Sequence, residues 1–311
     1  MGIITKKKTA NREEWKELRS HYIGGSDAAA VVGLNPFASQ YSLWAEKTGR
    51  VPSFEGNLAT EAGTYLEDFV AQKFVAETGK KVRRVNQSFL NSDYPWAIAN
   101  IDRDIVGEDA GLEIKTTSEM NLKRFKNGGY PANYYCQCVH YMAVTGKQRW
   151  YLAVLIGNQE FRWFVIERDE GEISALMNAE KDFWELVKND TPPLPDGTDA
   201  TSDTLTAMFP DSDTTTTNLT GYDSSLYEYM ALKEQIKNLT HQMESIANTI
   251  KSLMGDSGHG ESGAFRVSWA SSTRRSFDSK RFAAENPDLY LEDYYNESKT
   301  RTFRVAKQKG A

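Results

Sequence analysis

Residues 97–117, AIANIDRDIVGEDAGLEIKTT, constrain this chain more than any other stretch. Two apolar runs, 97–101 and 112–114, flank a polar turn bounded by Gly107 and Gly111, which predicts two adjacent strands of a hairpin. Asp102 leaves the first strand, and Glu113 and Lys115 sit on the second. Side chains alternate along a strand, so Glu113 and Lys115 share one face while Leu112, Ile114 and Thr116 share the other. Two carboxylates and an ammonium then surround one small volume.

Such a cluster suits a hard cation. Mg²⁺ takes oxygen ligands, keeps several waters, and is held by one or two carboxylates together with substrate phosphate oxygens. Asp102 and Glu113 would supply the carboxylates and the Ile114 carbonyl a third oxygen, while Lys115 would hold the attacking water or neutralise charge on phosphorus. The chemistry this points to is phosphodiester hydrolysis. A Glu-x-Lys triplet on a strand is also read as a solvated charged face. Three features weigh toward the metal site: an Asp eleven residues upstream of Glu113, apolar flanks on both sides, and an acid, Glu67, in the preceding helix.

At 311 residues the chain has room for one large domain or two ordinary ones. It contains no apolar run near the ~20 residues that span a bilayer, and its start, MGIITKKKTA, lacks the apolar centre of a signal peptide; a cytoplasmic location without membrane attachment is expected. Cys136 and Cys138 lie two apart on a predicted helix, so their side chains diverge, and His21, His140, His241 and His259 show no zinc-ligand spacing. Zinc hydrolases and Cys or Ser triad enzymes therefore find no support. A net charge of −6 argues against a uniformly basic surface. Lys and Arg cluster instead at residues 6–8, 80–84 and 123–126 and beyond residue 264, where ten stand against six acids.

In chain order, Thr9 is the expected cap of a first helix carrying Trp15, Leu18 and Arg19. RSHYIGGSDAAAVVG follows, where Ser26 or Asp27 would cap a short helix. This is either an ordinary capped turn or, with Arg19 and Ser26, an anion cradle. Ser39 starts a helix closed by Gly49, and a long helix runs to Gly79 with Leu66, Phe69, Val70, Phe74 and Val75 on its apolar side. Glu67 borders that stripe and faces either solvent or a cleft. Residues 81–89 read as one strand. Lys123 and Arg124 form a candidate phosphate-contacting patch. Pro131 opens a helix ending at Gly146, on which Tyr134 and Gln137 share a face, and two strands and a helix complete an α/β domain over residues 1–190.

Residues 191–221 read as an acidic Pro/Thr linker. Residues 222–254 form a helix with a heptad seam from Tyr229 to Leu253, which needs either a neighbouring subunit or its own core domain as partner. A flexible turn at 255–263 and a basic tail read as strand (265–269), helix (276–286) and strand (302–305) complete a C-terminal module over 222–311.

Over residues 1–190 the arrangement resembles the lambda-exonuclease group of the PD-(D/E)xK superfamily and its YqaJ-like viral recombinases. The matching pieces are Arg19 and Ser26 in RSHYIGGSDA, Glu67 in GTYLEDFVAQKFVAETG, Asp102 in NIDRD, Glu113 and Lys115 in EIK, and Tyr134 and Gln137 in YYCQ. NIDRD departs from the superfamily's Pro-Asp and offers Asp104 as a competing ligand. The resemblance implies a central mixed sheet flanked by helices, with Asp102, Glu113 and Ile114 at Mg²⁺ (Mn²⁺ substituting), Lys115 at the water, and Glu67, Tyr134 and Gln137 around them. Arg19 and Ser26 would grip the 5′ phosphate. It implies a phage- or prophage-encoded enzyme that degrades one strand of linear double-stranded DNA 5′ to 3′, a single-strand-annealing protein as partner, and a homo-oligomer, a trimeric ring around DNA. An endonuclease of the same fold and a non-catalytic DNA-binding scaffold are the alternatives.

Overall fold

The computed structural model describes residues 2–287 and 300–307. They fall into two units, Met1–Phe209 and Pro210–Ala311. The first unit runs β1 (Ile4–Lys7), α1 (Arg12–Ser20), β2 (Ile23–Gly24), α2 (Gly25–Val31), α3 (Gln40–Lys47), α4 (Leu58–Thr78), β3 (Val82–Arg84), β4 (Ser88–Asn91), β5 (Ala97–Ala99), β6 (Arg103–Ile105) and β7 (Ala110–Thr117). After a 3-10 segment (Glu119–Gly128) come α5 (Ala132–Thr145), β8 (Arg149–Ile156), β9 (Glu160–Glu167), α6 (Glu170–Lys188) and α7 (Asp199–Met208).

A mixed five-stranded sheet in the order β3-β6-β7-β8-β9 forms the centre, with β7 and β8 parallel and the other pairs antiparallel. Strand alternation sorts its two faces. Leu112, Ile114, Tyr151 and Ala153 pack against Val70, Ala71 and Phe74 of α4, while Leu152, Val154 and Ile156 face Val139 and Met142 of α5. A second sheet, β1-β4-β5-β2, covers the opposite side of α5. Residues 136–144 of that helix are therefore all buried, as expected for a helix enclosed on every side. Leu112 and Phe74 are fully buried, and truncating either to Ala should cost about 2–5 kcal/mol.

The predicted hairpin divides between these sheets. Strand β5 pairs with β4 and β2, and it is the short strand β6 that pairs with β7, through Arg103↔Leu112 and Asp104↔Gly111. Ala97, Ile98 and Ala99 are all buried, so the run needs cover on both faces and finds it inside the second sheet. Residues 100–102 cross from one sheet to the other. The single strand expected over 81–89 is likewise two strands, β3 and β4, one in each sheet.

Local starts differ as well. Asn11, not Thr9, caps α1 by accepting the Glu14 N–H at 2.9 Å. Gly24 precedes α2, and Asp27 sits one turn in, where its carboxylate accepts the Gly24 N–H at 3.0 Å. On α4 the buried face runs through Val70, Ala71 and Phe74, while Leu66 and Phe69 are exposed. Within the stretch expected to be a linker, α7 packs Leu205 and Met208 against the cluster around Trp44, and Thr201 donates to the Ser39 hydroxyl at 2.7 Å.

The second unit holds α8 (Asp223–Met254), a hairpin of β10 (His259–Glu261) and β11 (Arg266–Ser268), and α9 (Ser279–Glu285). Strand β10 lies inside the stretch predicted as a flexible turn, and residues 302–305, predicted as a strand, adopt none.

Candidate active site

The site forms where β6 ends and β7 continues. Past Arg103↔Leu112 the chain turns away toward the second sheet, which leaves the Ile114 N–H without a backbone partner on that side. The Asp102 carboxylate takes its place, accepting that N–H at 2.8 Å. Asp102 is thus locked beside Glu113 by the same break in the ladder that sends residues 100–102 across to β5.

Glu113 is 2 % exposed beneath α5. Its Oε1 accepts from Gln137 Nε2 at 2.7 Å and pairs with Lys115 Nζ at 2.6 Å, while Oε2 is buried with no hydrogen-bond partner among the described residues. Burial and the adjacent Glu113 carboxylate push Asp102 well above the ordinary carboxylate range. Burial also raises Glu113, against the pull of Lys115. Burial alone would lower Lys115, but Glu113 and Asp102 raise it and hold it as an ammonium. Its Nζ also lies 5.5 Å from the centre of the Tyr134 ring.

Gln137 donates to the Tyr141 hydroxyl at 2.8 Å as well. Both side chains press on Gly25: a Cβ there would lie 2.5 Å from Tyr141 and 3.1 Å from Gln137. Only glycine allows α2 this close to α5. Tyr141 belongs to the site although its sequence signal, one turn beyond Gln137 on the same face, is weak.

From the other side of the sheet, Glu67 of α4 reaches the same cleft. Arg103, 3 % exposed, clamps it, donating to Glu67, to Asp68 and, at 2.7 Å, to the Asp102 carbonyl. Arg84 adds a contact to Glu67 at 3.1 Å. Asp104, the competing acid, turns away to Arg83 and Lys147, both at 2.7 Å, and is no part of this cluster.

Arg19 and Ser26 form a third wall. The guanidinium donates to the Ser26 hydroxyl and pairs with Asp27 at 3.1 Å, with its carbon 5.4 Å from the centre of the Trp15 ring. Asp27 is held in turn by Lys47 at 2.9 Å. Trp15 donates to Asn100 at 3.1 Å. Sequence reasoning reads Asp27 only as a cap and passes over Lys47, because nothing in their spacing announces a pair formed between two helices. Lys123 and Arg124 lie outside the cleft, exposed on the 3-10 segment that follows β7.

These walls enclose a cleft of about 510 Å³ that brings together Arg19, Ser26, Glu67, Asp102, Glu113, Lys115 and Gln137, with Trp15 and Tyr141 and the small residues Ala59, Thr60 and Gly63 of α4. A larger hollow of about 670 Å³ along His241, Glu244 and Asn248 of α8 gathers no such chemistry. Among the described residues no three His, Cys, Asp or Glu side chains form a metal cage. The donor set is two carboxylates and a backbone carbonyl, which suits an ion that keeps water and takes phosphate oxygens. The orphaned Glu113 Oε2 fits a cation as its partner.

The YqaJ-like viral recombinase domain matches residues 14–148. A Bacillus subtilis (strain 168) protein, "Uncharacterized protein YqaJ", is 36% identical over 294 residues, covering 93% of this chain and 92% of that protein. The chain belongs to the YqaJ-like viral recombinase family. Its YqaJ-like segment contains Arg19, Ser26, Glu67, Asp102, Glu113, Lys115 and Gln137 and ends just before β8. Among solved structures, the alkaline exonuclease LHK-Exo from Laribacter hongkongensis is 23% identical, with a TM-score of 0.48 over 57% of this chain and 93% of that one. LHK-Exo in complex with dAMP gives a TM-score of 0.49 over the same shares. The family thus follows the resemblance read from the motifs, and the described core is the expected mixed α/β sheet flanked by helices. No helix among the described residues is long and apolar enough to cross a membrane.

Proposed function

We propose that this YqaJ-like chain is a Mg²⁺-dependent nuclease that removes one strand of linear double-stranded DNA from a 5′-phosphorylated end, leaving a 3′ overhang for a single-strand-annealing protein. The observation that carries this reading is the buried Glu113 carboxylate, with one oxygen held by Lys115 and Gln137 and the other unpaired, beside an Asp102 fixed by the Ile114 N–H. Asp102, Glu113 and the Ile114 carbonyl would hold Mg²⁺, with Mn²⁺ as a substitute. Bound there, the cation supplies Lewis acidity toward a phosphate oxygen and acidifies water.

The protein's own groups do the rest. Gln137 and Lys115 fix the Glu113 rotamer, with Tyr141 and the Tyr134 ring behind them. Lys115, kept as an ammonium, orients the nucleophile and opposes charge gathering on phosphorus. Glu67, fixed by Arg103, orients water at the cleft's far wall. Arg19 and Ser26 take the terminal phosphate, and Asp27 aims the guanidinium, which favours attack from a 5′ end. Exposed Lys123 and Arg124 would follow the duplex backbone outside the cleft.

The test is release of acid-soluble nucleotides from linear duplex, set against a closed circle, with Mg²⁺ present or chelated. Wild type should digest only the linear DNA and only with metal, while Lys115→Ala should bind ends without cleaving. Nicking of the circle would replace this reading with an endonuclease. Binding without cleavage under every metal condition would make the chain a scaffold.

A further inference from the structure

Lys47 stands behind the cleft and does not line it, yet it touches the group that governs Arg19. It ends α3 with its side chain 3 % exposed. Its ammonium lies 2.9 Å from Asp27 Oδ2 and donates to the Arg19 carbonyl at 3.3 Å, in the last turn of α1, where a cation is favoured. The Gly24 N–H donates to the same Oδ2 at 3.0 Å. Arg19 is left with Oδ1, which it reaches at 3.1 Å. Its hydrogen bonds to Ser26 and to Asp27 both run through Nη2. A guanidinium carries five N–H donors, and its pairs with carboxylates frequently close as two parallel bonds. Here the pair has one bond, because the second oxygen is already taken by Lys47 and Gly24. Charge points the same way. Arg19 and Asp27 alone sum to zero, and Glu46, beside Lys47 on α3, adds a weaker negative field at Arg19. Lys47 sets a second cation against the single Asp27 carboxylate.

We propose that Lys47 is a positioning residue for the terminal-phosphate pocket: by occupying Asp27 Oδ2 it keeps Arg19 from closing a two-bond pair on Asp27, and so leaves guanidinium donors and positive charge for the 5′ phosphate. The proposal rests on the reading that Arg19 and Ser26 take that phosphate. Without Lys47, Oδ2 keeps only the Gly24 N–H, and the guanidinium turns to take both carboxylate oxygens. The phosphate then competes with a closed ion pair for its own donor. Asp27 thus does two opposite things to Arg19: it aims the guanidinium through one oxygen and would sequester it through both. Lys47 decides between them. Because it works from behind Asp27, its effect falls on the choice between ends, phosphorylated against hydroxyl, and not on the reacting phosphate itself.

The test reads binding and needs no cleavage. The full chain, with divalent metal chelated, is titrated against a hairpin duplex that has a single open end and a fluorophore in its loop, the end carrying either a 5′ phosphate or a 5′ hydroxyl. Fluorescence anisotropy gives a dissociation constant for each, and their ratio is the phosphate preference. Wild type should prefer the phosphorylated end, and Lys47→Met should cut that preference by roughly tenfold or more. A smaller folded fraction lowers binding to both ends alike and leaves the ratio unchanged. Adding Asp27→Asn to Lys47→Met should restore most of the preference, because a neutral amide oxygen still accepts from Arg19 but no longer holds it as an ion pair. A merely structural role for Lys47 predicts no such recovery. Equal binding of the two ends by wild type would overturn the phosphate pocket and this proposal together. A wild-type preference that Lys47→Met keeps, or one that the double variant does not regain, would overturn the role of Lys47 and leave the pocket standing.

Discussion

At the scale of single residues, the site rests on a carboxylate whose surroundings are half complete. Glu113 has a fixed oxygen and an unpaired one in the same buried volume. Glu113→Gln keeps the shape but removes the charge, so cleavage in Mg²⁺ should fall by roughly a thousandfold. The thermal stabilisation that saturating Mg²⁺ confers on wild type, about 2.7 kcal/mol at a hundred times its dissociation constant, should vanish in the variant. Differential scanning calorimetry with and without Mg²⁺ reads this without reference to activity. Unchanged metal stabilisation would remove Glu113 from the ligand set.

Asp27 allows a pH test away from the proposed metal site. Burial opposes its charge, but Lys47 and Arg19 prevail and hold it below its ordinary value of 3.8. Its ion pairs therefore contribute fully above that value, and the contribution is lost as pH falls toward the folded value. Between pH 5 and 3 the urea midpoint of wild type should fall more steeply than that of Asp27→Asn. At pH 7 the variant, with Lys47 left uncompensated, should be less stable by about 3–5 kcal/mol. Of the residues named from the sequence, Arg19, Ser26, Glu67, Asp102, Glu113, Lys115 and Gln137 line one cleft, Tyr134 stands beside Lys115, and Lys123 and Arg124 lie outside it. Asp27, Lys47, Arg103 and Tyr141 were not legible, because each acts through a partner distant in sequence or on another face.

At the scale of elements, local pattern and tertiary pairing separate. The alternation on β7 is visible in the sequence and correctly sets Glu113 and Lys115 apart from Leu112 and Ile114. The strand beside it is not visible, since the apolar run at 97–99 attracts the eye while the polar Arg103–Ile105 makes the actual pair. Period alone cannot say to which sheet a three-residue strand belongs. The approach of α2 to α5 at Gly25 is also a tertiary fact. Gly25→Ala should displace Tyr141 and Gln137, lowering cleavage by roughly tenfold or more while far-ultraviolet dichroism stays near wild type. A fully active Gly25→Ala would show that Gln137 need not hold Glu113 in place.

At the scale of the whole molecule, composition suggests that the first unit ends near residue 190, whereas α7 continues it to Phe209. Pro and Asp dominate the stretch, but Leu205 and Met208 still find an apolar surface near Trp44, and Thr201 is buried against Ser39. A chain ending at residue 209 should fold cooperatively, and one ending at 190 should melt several degrees lower. Equal melting temperatures would make α7 an ornament. The heptad pattern of α8 was legible from spacing alone, because a seam is a local property. Its partner was not, because a seam does not name what covers it.

The central claim, a metal-dependent nuclease that starts from a phosphorylated 5′ end, is tested most directly by following each strand of a linear duplex separately. The duplex carries a label at one end or the other and either a 5′ phosphate or a 5′ hydroxyl, and product lengths are read over time in Mg²⁺. The account predicts stepwise loss of the 5′-ended strand, faster with phosphate, slowed toward the hydroxyl rate in Arg19→Ala and absent in Glu113→Gln. Loss from the 3′ end, or digestion in Glu113→Gln equal to wild type, would contradict it.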